Sequence, residues 1–162
     1  MALDLHVHGL TALPDPVLLQ QRIAQIESDF YSCGSKETFS FLSSRNEPVS
    51  RFDYKANYSL NKGTSCLALE LMFFNHDDDG VVALVTAMRG NEVGITYSAV
   101  LALSLADENQ EIEDEWECWV QPAGSYTRRD FYFKMKSVGN FAADSIDEWS
   151  KHFVASLPLA KS

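Results

Sequence analysis

In Ile95-Thr96-Tyr97-Ser98-Ala99-Val100-Leu101-Ala102-Leu103-Ser104-Leu105, six apolar or aromatic side chains alternate with Thr96, Ser98, Val100, Ala102 and Ser104. Alternation with period two is the signature of a strand with one face buried. On that reading the fold is a run of successive strands. Working outward, Gly90-Asn91-Glu92-Val93-Gly94 is a turn, and Val81–Met88, apolar on both faces, is a central strand. His76-Asp77-Asp78-Asp79-Gly80 before it supplies Asp-Gly hairpin chemistry. Leu67, Leu69, Leu71 and Phe73 share one face of the preceding strand. Phe52, Tyr54, Ala56, Tyr58 and Leu60 alternate with Arg51, Asp53, Lys55, Asn57 and Ser59 in another, and Asn61-Lys62-Gly63 turns between the two. On the far side, Trp116, Cys118 and Val120 alternate with Glu117, Trp119 and Gln121, and Phe131, Phe133 and Met135 with Tyr132, Lys134 and Lys136.

Two helices bracket this run. Asp15 caps and Pro16 starts the first, and Leu19, Ile23, Ile26 and Phe30 form its apolar stripe, giving a helix over 16–31 with Gly34 as its stop. Ser145 with Glu148 is a capping box, and Ile146, Trp149, Phe153 and Leu157 form the stripe of a second helix over 145–156. The expected fold is therefore α+β: a single two-layer domain over residues 1–162. It holds an antiparallel meander of about six strands, with both terminal helices on one face. Leu3, Leu5 and Val7 suggest a short strand within a loosely attached segment, 1–13.

The 162 residues carry a formal charge of −10. From Gly63 to Thr127 there are twelve acids against one base, Arg89, so nearly all of the net charge lies in that stretch. Free nucleic acid and anionic membrane are poor partners for such a chain, and a cationic protein surface is a good one. Asp107–Glu117 is densest, with seven acids in eleven residues. Trp119 falls on the polar face of its expected strand, where an exposed indole can anchor a partner. The expected binding residues are Asp107, Glu108, Glu111, Glu113, Asp114, Glu115, Glu117 and Trp119.

Motifs that would carry chemistry are sparse. Asp4-Leu5-His6-Val7-His8-Gly9 resembles the HxH strand of metal-dependent amidohydrolases, but that family needs later ligands and a far longer barrel. The segment is read as two solvated imidazoles with no metal. Asp77-Asp78-Asp79 lacks the spacing of a calcium loop, since the twelfth position is Met88. No P-loop, nucleophile elbow or GxGxxG occurs, and Cys33 follows a helix rather than opening one. Arg128, Arg129, Lys134 and Lys136, the one basic cluster, read as a solvated strand face. Three widely spaced cysteines, Cys33, Cys66 and Cys118, suit a reducing compartment, and no secretory signal or spanning segment is evident, so the expected location is cytoplasmic.

The expected function is non-enzymatic binding, without cofactor, of a basic toxin-like or effector-like protein. A bacterial immunity protein or secretion chaperone acts this way, and homodimerisation is compatible with it. The alternative is a small-molecule-binding domain or enzyme, with a pocket between sheet and helices lined by Phe52, Tyr54, Tyr58 and Tyr97.

Overall fold

The run 95–105 is helical. The computed structural model describes residues 2–31, 37–78, 80–139 and 143–161. It places Glu92–Leu105 in a helix, α2, whose residues from Gly94 onward are all buried. Its alternating hydroxyls are satisfied within the helix: Thr96 donates to the Glu92 carbonyl, Ser98 to Gly94 and Ser104 to Val100. Such i−4 bonds let polar positions sit in a helix that is buried all round. Asn91, expected in a turn, is the N-cap and accepts from the Gly94 amide at 3.2 Å.

The elements run β1 (Ala2–Leu10), α1 (Pro16–Phe30), β2 (Phe39–Leu42), β3 (Tyr58–Lys62), β4 (Ser65–His76), β5 (Gly80–Met88), α2, β6 (Glu111–Asp114), β7 (Gly124–Thr127), α3 (Arg128–Gly139) and α4 (Ile146–Ala155). A 3-10 turn, Pro158–Lys161, follows. The class is α+β, with seven strands among the described residues in the order β2-β3-β4-β5-β1-β6-β7. Every pairing is antiparallel. The expected meander survives in β3 through β5, and β2 extends it at the edge.

β1 breaks the meander. It lies between β5 and β6, where Val7 faces both Ala83 and Ile112, so Ala2–Leu10 is an interior strand of the sheet rather than a loose margin. Leu3, Leu5 and Val7 are buried. The expected terminal helices are present as α1 and α4. Asp15 accepts from the Val17 amide and Ser145 from the Glu148 amide. The stop expected at Gly34 lies outside the described residues.

Three expected strands are something else. Arg51–Asn57 is irregular, with Phe52 buried, and pairing starts only at Tyr58. Trp116–Val120 is a bend. Phe131–Lys136 belongs to α3, where Phe131 and Met135, four apart, are buried, while Phe133 is exposed. A six-residue window holds too few apolar positions to separate period two from 3.6.

α2 packs on β1, β4 and β5 and is covered in turn by α1 and α4. Trp149 of α4 stacks on Tyr31 at 5.0 Å and meets Tyr97 of α2 edge-on at 5.6 Å. α2 comes close to the sheet backbone at Gly94. A Cβ there would lie 2.2 Å from the Ala68 carbonyl oxygen, at an irregularity of β4 where Ala68 takes φ 58°. Gly94→Ala should therefore cost at least about 2 kcal/mol, because backbone cannot turn aside as a side chain can. A denaturant titration showing a loss under about 0.5 kcal/mol would mean that α2 can retreat from β4 freely.

Candidate protein-interaction surface

The seven acids of 107–117 have separate fates. Asp114 is fully buried at the end of β6. Its Oδ1 accepts from the Cys118 amide at 3.1 Å, and its Oδ2 from the Trp119 and Val120 amides at 2.7 and 2.9 Å. A carboxylate with three backbone donors holds a tight turn, so Asp114 builds structure and is not at the surface. Trp119 is likewise a correction to the sequence reading. Its side chain is 1% exposed, and the indole Nε1 donates to the Ile95 carbonyl at 3.0 Å. Cys118, Trp119 and Val120 are buried in succession, which no half-buried strand allows.

Of the others, Glu113 is half-buried and its Oε1 lies 3.0 Å from His8 Nε2 and 3.9 Å from His6 Nδ1. The two imidazoles of the HxH segment thus stand stacked on the sheet beside a carboxylate instead of free in solvent. Asp107 pairs with Arg22 at 3.1 Å. Glu117, at φ 54°, accepts from the Ala123 amide. Glu108, Glu111 and Glu115 are exposed.

These exposed groups lie toward opposite ends of the short β6. Glu111 pairs with His8, near the end of β1, and Leu10 of β1 abuts Gly80 at the β4–β5 turn. Exposed Asp77 and Asp78 therefore lie at the same end of the sheet as Glu108 and Glu111. Glu115 follows the other end of β6 and leads into the bend.

That bend displays the residue the sequence reading placed in the core: Trp116 is 73% exposed, with exposed Glu115 and Glu117 on either side. Three residues apart, the two tryptophans fall on opposite faces of any strand, and the spacing alone does not say which is outward. The loop behind the indole is fixed by the Asp114 bonds, by Trp119 plugged against α2, by the Glu117–Ala123 bond and by Tyr126 donating to the Pro122 carbonyl. Trp116 is therefore a pre-organised apolar group in an anionic setting.

Burial pushes the Cys118 thiol from 9.0 up to about 11, with Asp114 adding to the shift and Arg89 opposing it. The folded chain holds this proton more tightly than the unfolded chain. The resulting stabilisation is complete below pH about 9 and is lost as pH rises toward 11. Cys118→Ala should flatten the fall in stability between about pH 9 and about pH 11 in urea titrations. An unchanged slope would show that the thiol does not titrate from a buried site.

Of the four rings expected to line a pocket between sheet and helices, three are buried. Phe52, Tyr58 and Tyr97 are core side chains, and Tyr54 is exposed on the irregular segment. Cys33 lies outside the described residues. Among the described residues no helix is long and apolar enough to cross a membrane, and no three His, Cys, Asp or Glu side chains are grouped as metal ligands would be. The chain matches no family model, no curated protein and no solved structure.

Proposed function

We propose that this chain is a non-enzymatic binding protein that docks on a basic protein partner and covers its cationic face. An immunity protein or secretion chaperone would act this way, and neither nucleic acid nor membrane is the target. The observation that carries the reading is the exposed indole of Trp116, held between Glu115 and Glu117 on a fixed loop. Large exposed aromatics on rigid backbone are favoured anchors, since little freedom is lost when they bind. Exposed carboxylates at Asp77, Asp78, Glu108 and Glu111 extend the negative field that would steer a cationic partner. Burial of Phe52, Tyr58 and Tyr97 in the core supports binding by surface rather than by a pocket those rings would line. The exposed free thiol of Cys66 suits a reducing compartment such as the cytoplasm.

The test uses the partner recovered from the host and stopped-flow kinetics at two salt concentrations. Trp116→Ala should speed dissociation at least about tenfold, as loss of a desolvated anchor does. Glu111→Lys with Glu115→Lys should slow association instead. That effect should shrink as the Debye length falls from about 10 Å at 0.1 M to about 3 Å at 1 M salt. If both variants bind within about twofold of the wild type, the acidic stretch only solubilises the chain.

A further inference from the structure

Three arginines meet in a cavity of about 630 Å³ between α1 and α3, within an otherwise acidic molecule. That volume lies in the range of small-ligand sites. Arg22 stands on one wall; Arg128, Arg129, Tyr132 and Phe133 line the other, and Asp29 and Glu108 also reach the cavity.

Two of the arginines are held in place by the end of α2. Arg22 donates to the Ala106 carbonyl at 2.9 Å, and Arg128 Nε donates to the Leu103 carbonyl at 3.0 Å. Cations at a helix C-terminus satisfy its orphaned carbonyls, so these contacts have a structural value of their own. The Leu103 bond uses only the Nε–H of Arg128 and fixes the plane of a guanidinium that keeps four more N–H donors. Arg129 lies over the Phe133 ring, 5.7 Å from its centroid, and Phe133 is 57% exposed. Tyr132 is steadied by its hydroxyl bond to Asp29. The first turn of α3 opens at the same place, with the Thr127 hydroxyl accepting from the Asp130 amide. A helix N-terminus there adds its positive end to the arginines.

We propose that this cleft is a binding site for a small anion carrying a planar ring, an aromatic phosphate or carboxylate. The anionic group is met by Arg128, Arg129 and the start of α3, and the ring lies against Tyr132 and Phe133. Arg22, already neutralised by Asp107, shapes the opposite wall. Glu108 opposes the anion and keeps the site weak.

The test is a two-dimensional amide NMR titration of the whole chain with phenyl phosphate, benzoate, inorganic phosphate and phenol as probes. Phenyl phosphate or benzoate should saturate with a Kd of about 1 mM or tighter, shifting amides at 127–133 and around Arg22. Which of the two binds more tightly identifies the anionic group. Inorganic phosphate and phenol should each bind at least about fivefold more weakly, because each lacks half of the contacts. Arg129→Gln and Phe133→Ala alter exposed side chains outside the core and should each weaken binding about fivefold or more. Glu108→Gln should tighten it, a response that arginines serving only to cap α2 do not predict. The proposal is overturned if neither aromatic anion saturates, if the shifts map elsewhere, if inorganic phosphate binds equally well, or if Arg129→Gln changes nothing.

Discussion

Lys62→Met should lower the unfolding free energy by about 3–5 kcal/mol, a large share of what a domain of this size possesses. Lys62 is 1% exposed, and its ammonium lies 2.7 Å from the Glu27 carboxylate, which is also buried. The same Glu27 oxygen accepts the Tyr97 hydroxyl, so one carboxylate ties α1 to β3 and to α2. Phe39 lies under the ammonium, its ring centroid 5.5 Å away. Removing the lysine leaves Glu27 buried with the neutral Tyr97 hydroxyl as its side-chain donor among the described residues, and that uncompensated charge accounts for most of the loss. Replacing both charges, as Lys62→Met with Glu27→Leu, should recover much of it, since a buried pair contributes little net stability over apolar side chains of similar volume. A denaturant double-mutant cycle measures the coupling. A single-variant loss below about 1 kcal/mol, or a double variant as unstable as the two singles added together, would sink the account. The cluster also bears on alkaline stability. Burial, then the Glu27 charge, raises the Tyr97 pKa far above its ordinary 10.0. The folded state therefore keeps a proton that the unfolded chain releases above pH about 10, and stability falls as pH climbs beyond that point.

This cluster was invisible in the sequence because each member had an ordinary local reading. Lys62 sat in an Asn-Lys-Gly turn, Glu27 beside the apolar stripe of an amphipathic helix, and Tyr97 in a supposed strand. The helices α1 and α4 were legible because each has a cap and a one-sided stripe at 3.6 spacing. β4 and β5 are legible because each holds a long apolar run that follows a glycine breaker, Gly63 before β4 and Gly80 at the start of β5. α2 was not, because a helix buried on every side has no stripe, and its hydroxyls happened to fall mostly on alternate positions. Only Asn91 as a cap, followed by a long uninterrupted run, could have argued for it. The site suffered from the same error. Charge density singles out the segment 107–117, but a strand over 116–120 exchanges the two tryptophans, turning Trp116 inward and Trp119 outward, the reverse of their burial. Burial of Asp114 could not be read from composition, since a carboxylate in an acidic run looks like its neighbours until its amide partners are known.

Asp114→Asn should be nearly as damaging as Asp114→Ala, with a loss of about 3 kcal/mol or more in either case. Both carboxylate oxygens are in use, Oδ1 by the Cys118 amide and Oδ2 by the Trp119 and Val120 amides. An asparagine keeps one acceptor but turns an NH₂ toward the donors on the other side. At least one buried backbone N–H is then left without a partner and opposed by another donor. Alanine leaves all three orphaned, at about 1–3 kcal/mol each before the loop relaxes. Amide exchange separates a local effect from a global one. Protection at 118–120 should collapse in Asp114→Asn, while the amides of β4 and β5 lose only what the fall in global stability dictates. Trp119 should then become accessible to a fluorescence quencher, because its place against Ile95 depends on the turn that Asp114 holds. The same variant probes the interaction surface. If the fixed loop presents Trp116 to a partner, loosening the loop should raise the entropic cost of binding, and Trp116→Ala should cost less affinity in the Asp114→Asn background than in the wild type. A full, additive Trp116 effect in that background would show that the indole binds without help from the turn. Unchanged exchange at 118–120, with stability within about 0.5 kcal/mol of wild type, would show that Asp114 does not hold the turn at all.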